Sequence, residues 1–314
     1  MMSPTLDATD MSSLSLTTDD IRCQCQQDLE RRQQAGSKLD VEKIHRYGAF
    51  VGSVVERHRS LARAMDYCRE LIAATEGAGR SVRSGTVVFA DSLNRPRGRF
   101  DRVWHAPVGG LWGCLIHANT LLESSRRFVP LAVGVACCEA VRELGGTQAV
   151  LRWVNDVLVD GRKLAGFLVE GHTGPCYGEE YNLIGFGINI NNSCFPAELA
   201  GAAISLAEVL GHQVDLSLFS RIFLAHLSFT LGLLSLVEDE QLREESLNQE
   251  GHPLLSRWRE LSDSLGRQVV YGLDVMMKPQ YQAFAADLSV DGGLILKFAD
   301  GYEKIEHCGE IRYL

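Results

Sequence analysis

Apolar and polar positions alternate along the chain in two rhythms, and each rhythm predicts a kind of element. Between residues 57 and 74, Leu61, Met65, Cys68, Leu71 and Ile72 share one helical face, and Gly77 and Gly79 end the pattern. A short β run over 86–90 follows, and 111–118 reads as a second strand. Residues 130–144 predict a helix stopped by Gly145 and Gly146. In 157–169 two apolar runs meet at Asp160-Gly161, the signature of a tight hairpin, and 181–190 supplies a further strand. That order predicts a mixed or antiparallel sheet rather than a doubly wound one.

Helical patterning resumes over 206–236 and again over 254–261. Its most apolar part, 216–236, is broken by Arg221 and His226, so it fits a buried helix better than a membrane span. After about Gly266 short β runs (269–273, 284–290, 294–298) alternate with turns at Asp291-Gly292-Gly293 and Asp300-Gly301, which predicts a small β-barrel. Residues 1 to about 40 are polar and offer at most one charged helix around 19–34; a mobile extension is expected there. The fold class is therefore α+β, divided into an extension (1–44), a main domain (45–263) and a C-terminal barrel (264–314).

Composition narrows the function classes. At 314 residues and 46% apolar, the chain can bury one sizeable core and a satellite. A net charge of -9 argues against a surface built to capture nucleic acid, and no nucleic-acid or membrane partner is expected. The nine cysteines form no CxxC pair and stand near no histidine at ligand spacing, so reduced thiols and no protein-held metal site are expected. The first residues lack the basic-then-apolar order of a secretion signal, which points to the cytoplasm.

Three features could carry chemistry. The segment 91–102 holds Arg95, Arg97, Arg99 and Arg102 with Pro96 and Gly98, follows neither period, and reads as a loop. It could fold guanidinium forks around a polyanion, or it could be a solvated basic loop. Arg152-Trp153-Val154-Asn155-Asp156 closes an apolar run with a polar pair, either a site or a capped turn. Lys163 follows the hairpin turn and precedes Gly166, where a missing side chain would let a ligand approach the backbone; a lysine there is otherwise simply solvated.

Taken in order, Arg97-Gly98-Arg99, Trp104, Trp153-x-Asn155-Asp156, the run from Gly161 through Lys163 and Gly166 to Glu170, and Gly185-x-Gly187-Ile188-Asn189 resemble the catalytic domain of biotin-protein ligases. The resemblance runs from about Val54 onward and includes Leu255-Ser-Arg-Trp258 and Gly309-Glu310-Ile311. It implies a class II synthetase-like mixed sheet on helices followed by an SH3-like barrel. It also implies a clamping loop at Arg97, Gly98, Arg99 and Arg102, with Trp104 closing over an adenylate. Lys163 would contact the acid's carboxylate and the α-phosphate, with Arg99 beside it as the second catalytic cation. Gly166 would floor the pocket, and Asn155 and Asn189 would lie near the nucleotide and its metal.

The implied substrates are biotin and ATP with Mg2+, the implied partner is a biotin carboxyl carrier protein or similar acceptor domain, and pairing through the sheet implies a homodimer. The acid-binding motif departs from the family pattern: Arg63-Ala64-Met65 stands where Ser-Thr is usual, Leu93 where glutamine is, and Pro96 and Asp101 where glycines are. The expectations left open are a ligase for biotin with an altered pocket, a ligase for another acid, or a non-catalytic paralogue that binds nucleotide or carrier. Of other acids, lipoate and octanoate are disfavoured because their ligases' Arg-Arg-x-x-Gly-Gly-Gly loop is missing. The region before about residue 45 lacks the apolar pattern of a winged helix-turn-helix, so no repressor function is expected.

Overall fold

The computed structural model describes residues 14–102, 104–243 and 251–314. Helices α1 (Thr18–Gln34) and α2 (Val41–Gly48) precede strand β1 (Val54–His58) and helix α3 (Ala64–Gly77). Strands β2 (Thr86–Ala90) and β3 (Leu111–Ala118) flank the arginine-rich loop, and α4 (Glu123–Arg126) leads into α5 (Val129–Glu143). Four strands follow: β4 (Val150–Arg152), β5 (Asp156–Val159), β6 (Arg162–Thr173) and β7 (Glu180–Ile188). Helices α6 (Leu206–Leu210), α7 (Leu216–Leu242) and α8 (Pro253–Leu261) come next. The C-terminal part contains β8 (Gln268–Gly272), β9 (Tyr281–Leu288), β10 (Leu294–Lys297), β11 (Glu303–Glu306) and β12 (Glu310–Tyr313).

The first seven strands form one sheet in the order β1-β2-β3-β7-β6-β5-β4. Only β1 and β2 run parallel, so the sheet is mixed, as the alternating pattern predicts. Asp160 and Gly161 turn the β5–β6 hairpin with φ of 50° and 74°, the left-handed pair that a two-residue hairpin turn needs. The register along β6 and β7, from Ala165 opposite Ile188 to Thr173 opposite Glu180, fixes which residues share a face.

Both faces of this sheet are apolar, but helices cover them unequally. Leu115, Ile184, Phe186 and Ile188 enter the main core with α5 and α7, where Phe186 meets Phe223 edge to face. The alternate residues Cys114, Ile116, Tyr181 and Leu183 pack against Met65, Cys68 and Ile72 of α3. Beyond Met65 this second face continues over Trp112, Gly187 and Gly166, which line a cavity instead of a helix.

Two expectations are corrected in this region. The predicted helix over 57–74 begins only at Ala64, and 54–58 is an edge strand whose polar Glu56, Arg57 and His58 conceal its pairing with β2. The segment expected as a mobile extension is folded from Leu14 onward, while residues 1–13 lie outside the described residues. Thr17 and Asp20 cap α1 reciprocally, with Asp20 N–H donating to Thr17 Oγ1 at 3.2 Å and Thr17 N–H to Asp20 Oδ2 at 2.9 Å.

The few apolar residues of that segment, Leu14, Ile21, Cys25 and Ile44, are buried against the rest of the core. Its charges are paired rather than solvated: Arg32 meets Asp28 at 2.6 Å, and its guanidinium lies 3.6 Å from the Phe229 ring centroid. α2 crosses α7 at closest approach, because a Cβ on Gly232 would stand 2.1 Å from Ile44 O. By composition α7 is the one helix among the described residues long and apolar enough to cross a membrane, yet Phe219, Phe223, Leu227 and Leu234 are fully buried inside the protein.

The C-terminal part is a five-stranded antiparallel sheet in the order β11-β10-β9-β8-β12. Among the described residues no ladder joins β11 to β12, so the expected small barrel is observed as an antiparallel sheet. Its last two strands, Glu-Lys-Ile-Glu and Glu-Ile-Arg-Tyr, escape the sequence pattern because each holds a single aliphatic residue among charged neighbours.

Candidate functional site

The uncovered face of the mixed sheet floors a cavity of about 340 Å³. Its floor is Gly166 on β6 beside Gly187 on β7, which are direct partners in the ladder. A Cβ on Gly187 would come within 3.0 Å of Trp104 Nε1, and one on Gly166 within 3.3 Å of Trp104 Cη2. The two glycines therefore let the indole lie directly on the backbone. Trp104 Nε1 is buried there and has no hydrogen-bond partner, leaving a donor free for an incoming acceptor.

Lys163 enters from the start of β6. Its Nζ lies 2.7 Å from Asp156 Oδ1 and 5.2 Å from the Trp104 ring centroid. Arg152 takes the other oxygen of the same carboxylate, Nη2 to Oδ2 at 2.7 Å, across the β4–β5 ladder. Burial pushes the Asp156 carboxyl up, but the Lys163 ammonium and the Arg152 guanidinium outweigh it and hold the group below the usual carboxylate range. Two cations thus share one anion at the cavity wall, leaving a net positive charge.

The arginine-rich loop roofs the cavity, and Arg97, Gly98, Arg99 and Arg102 all line it. The loop closes on itself, with Gly98 N–H donating to Arg102 O at 2.8 Å and Trp104 N–H to Pro96 O at 3.2 Å. It is also latched to the C-terminal sheet. Arg99 Nη1 donates to Gly309 O at 2.8 Å, and Arg102 forks onto Glu310 at 2.9 and 2.7 Å while pairing with Asp274.

Asn155 lines the cavity with its Nδ2 donating to Phe167 O at 3.3 Å. Asn189 is not among the lining residues: it is buried behind the strand, donating from Nδ2 to Lys163 O at 3.4 Å and accepting from Asn192 Nδ2 at 2.9 Å. Of the expected site residues it alone stands off the cavity lining, and it braces the backbone that presents Lys163. Sequence reasoning marked the segment 152–156 but gave Arg152 and Asp156 no role of their own, although their spacing across a two-strand turn was a usable signal. Met276 and Glu310 also line the cavity; Met276 carried no local signal, and the motif holding Glu310 did not place it at the site, since only the tertiary fold brings the C-terminal sheet to it.

A positively charged cavity on the open face of a mixed sheet, floored by glycines and roofed by an arginine loop, coincides with a family match. Residues 76–189 match the Biotin/lipoate A/B protein ligase family. Individual proteins it is similar to are named as biotin-protein ligases.

It is 35% identical over 149 residues to the bifunctional ligase/repressor BirA of Bacillus subtilis, covering 45% of this chain and 44% of that protein. It is 31% identical over 131 residues to the biotin--[acetyl-CoA-carboxylase] ligase of Paracoccus denitrificans, covering 38% of this chain and 51% of that one. Each alignment thus spans about half the relative's own length. A solved biotin protein ligase from Aquifex aeolicus, in complex with biotin and ATP, superposes with a TM-score of 0.66 at 22% identity over 83% of this chain and 99% of that one, which shows the shared fold.

Proposed function

We propose that this chain is an ATP-dependent ligase that activates a carboxylic acid as an acyl-adenylate and transfers the acyl group to a lysine of a carrier protein. Biotin is the acid to test first, because the relatives are named for it and the Aquifex aeolicus structure holds it with ATP. The observation that carries the reading is that Lys163 and Arg99, far apart in sequence, line one cavity.

In the first step a carboxylate oxygen attacks the α-phosphorus of ATP and pyrophosphate leaves. Two anions must approach, so the barrier falls where fixed cations and amides are already oriented toward the developing charge. Lys163, held by Asp156 over the glycine floor, supplies a cation between acid and phosphate, and Arg97 and Arg99 supply others from the roof. Among the described residues no group of three His, Cys, Asp or Glu side chains is arranged to hold a metal ion, so Mg2+ would come with the phosphates of ATP. In the second step a neutral lysine amine of the carrier attacks the acyl carbonyl and AMP leaves. The Trp104 indole, lying on Gly166 and Gly187, is placed to keep water from the anhydride.

The nine free cysteines support a reducing, cytoplasmic setting, and the net charge of -9 supports work without nucleic acid. Biotin-dependent exchange of radioactive pyrophosphate into ATP tests the first step. Exchange strongly reduced in Lys163→Ala is expected; binding of ATP with no exchange for any carboxylic acid would overturn the ligase reading.

A further inference from the structure

One end of the cavity offers hydrogen-bond donors almost alone. Along β7 the floor runs from Gly187, under Trp104 and near Lys163, to Gly185, where a Cβ would come within 2.6 Å of Met65 Sδ. Two strand residues separate these points by about 7 Å. At the Gly185 end α3 begins, and Arg63, Ala64 and Met65 line the cavity.

Arg63 is the N-cap residue and puts no side-chain oxygen on the first turn, so the leading amides of α3 have no capping acceptor. Its guanidinium lies in the same wall. It touches Asp66 only at 3.4 Å, and Asp66 is held more closely by Arg69 at 2.7 Å. Leu93 is brought alongside by the pairing of 93–95 with 61–62, where Arg95 N–H donates to Ala62 O at 3.0 Å. The nearby Trp112 indole is already committed to Pro107 O at 2.7 Å. No hydroxyl side chain lines the cavity among the described residues, and its side-chain acceptors, Asn155, Asp156 and Glu310, belong to the Lys163 end and the roof latch.

We propose that Arg63 sets which acid this site takes: one whose far end is itself an oxyanion, a straight-chain dicarboxylic acid, in preference to an acid whose far end must donate hydrogen bonds. The inference rests on the ligase reading. One carboxylate meets Lys163 and is activated; the other meets the Arg63 guanidinium and the uncapped amides of α3. Biotin presents two ureido N–H donors, which this end leaves without side-chain acceptors, so it is handicapped rather than favoured here.

Calorimetric titration of the full chain with adipate through sebacate, octanoate and biotin tests the assignment. A charge-assisted contact at the far end makes the best-fitting dicarboxylate roughly tenfold to a hundredfold tighter than octanoate. Arg63→Ala collapses that ratio with an unchanged melting temperature, and Arg63→Ser shifts preference toward biotin. Biotin binding more tightly than every dicarboxylate, or a dicarboxylate preference that survives Arg63→Ala, overturns it. Pyrophosphate exchange with the same acids separates the two levels. Exchange with biotin and with no dicarboxylate fells the Arg63 assignment and leaves the ligase reading standing. Dicarboxylate binding that depends on Arg63, without exchange for any acid, does the reverse.

Discussion

Lys163 Nζ stands 2.7 Å from Asp156 Oδ1, and Arg152 holds the other oxygen of that carboxylate at the same distance. The arrangement gives a long flexible side chain one resting position above Gly166, whose added Cβ would lie 2.9 Å from that Nζ. Preorganisation of this kind lowers the cost of meeting charge that appears only in the transition state.

Lys163→Ala should therefore reduce pyrophosphate exchange by roughly a hundredfold to a thousandfold, the range for loss of one preorganised donor. Asp156→Asn should cost less in rate, on the order of tenfold, because the ammonium remains and only its anchor goes. Since the Asp156 pKa is depressed, the ion pair persists as pH falls through the ordinary carboxylate range and is lost only below it. Exchange rates of the wild type and both variants, followed from pH 8 down through the ordinary carboxylate range at about pH 4, check this.

Gly187→Ala should leave the fold intact and displace Trp104, because the new methyl would stand 3.0 Å from the indole Nε1. Tryptophan fluorescence should shift toward longer wavelength, and the adenylate should leak by hydrolysis faster than in the wild type. An unchanged emission maximum together with an unchanged hydrolysis rate would remove Trp104 from its covering role.

How much of this was legible in the sequence depended on how local each signal was. The β5–β6 hairpin was written in Asp160-Gly161 between apolar runs, and the cavity's Lys163, Gly166 and arginine loop stood in recognisable order. The edge strand β1 was hidden because Glu56, Arg57 and His58 gave it no apolar alternation. α1 looked like a solvated helix because its burial rests on Ile21 and Cys25 alone, with the remainder of its attachment made by ion pairs. The position of Asn189 off the cavity lining was not legible, because motif order does not say which side of a strand a residue faces. Glu310 stood in a recognised motif, but its pairing with Arg102 was not legible because the two lie far apart in sequence.

The latch between roof and C-terminal sheet makes its own prediction. Arg102→Ala leaves Glu310 and Asp274 without their shared cation, and both are partly exposed, so the stability loss should be small. The larger effect should be on the loop, with faster tryptic cleavage after Arg97 and Arg99 and a KM for ATP raised roughly tenfold. Limited proteolysis with and without ATP, beside steady-state kinetics, reads both.

His226 predicts a pH dependence of stability. Burial pushes its pKa down, but hydrogen bonds to Glu139 at 3.1 Å and Glu143 at 2.8 Å outweigh that and raise it above the ordinary value. Asp28, Arg31 and Arg32 of α1 and Arg257 of α8 complete the cluster. A raised histidine pKa contributes stability that is fully present below the ordinary value and disappears as pH climbs through the folded one. The melting temperature should therefore fall between pH 6.5 and pH 9, and His226→Gln should flatten that slope while lowering the melting temperature at pH 6. A wild-type slope retained in the variant would assign the effect to another group.

Arg99 and Arg102 find their anchors on Gly309 and Glu310, while the glycines beneath them belong to the middle of the chain. A change that loosens the β12–β8 ladder would therefore act on the cover of the hollow while leaving the ladder beneath it, β6 on β7, in place.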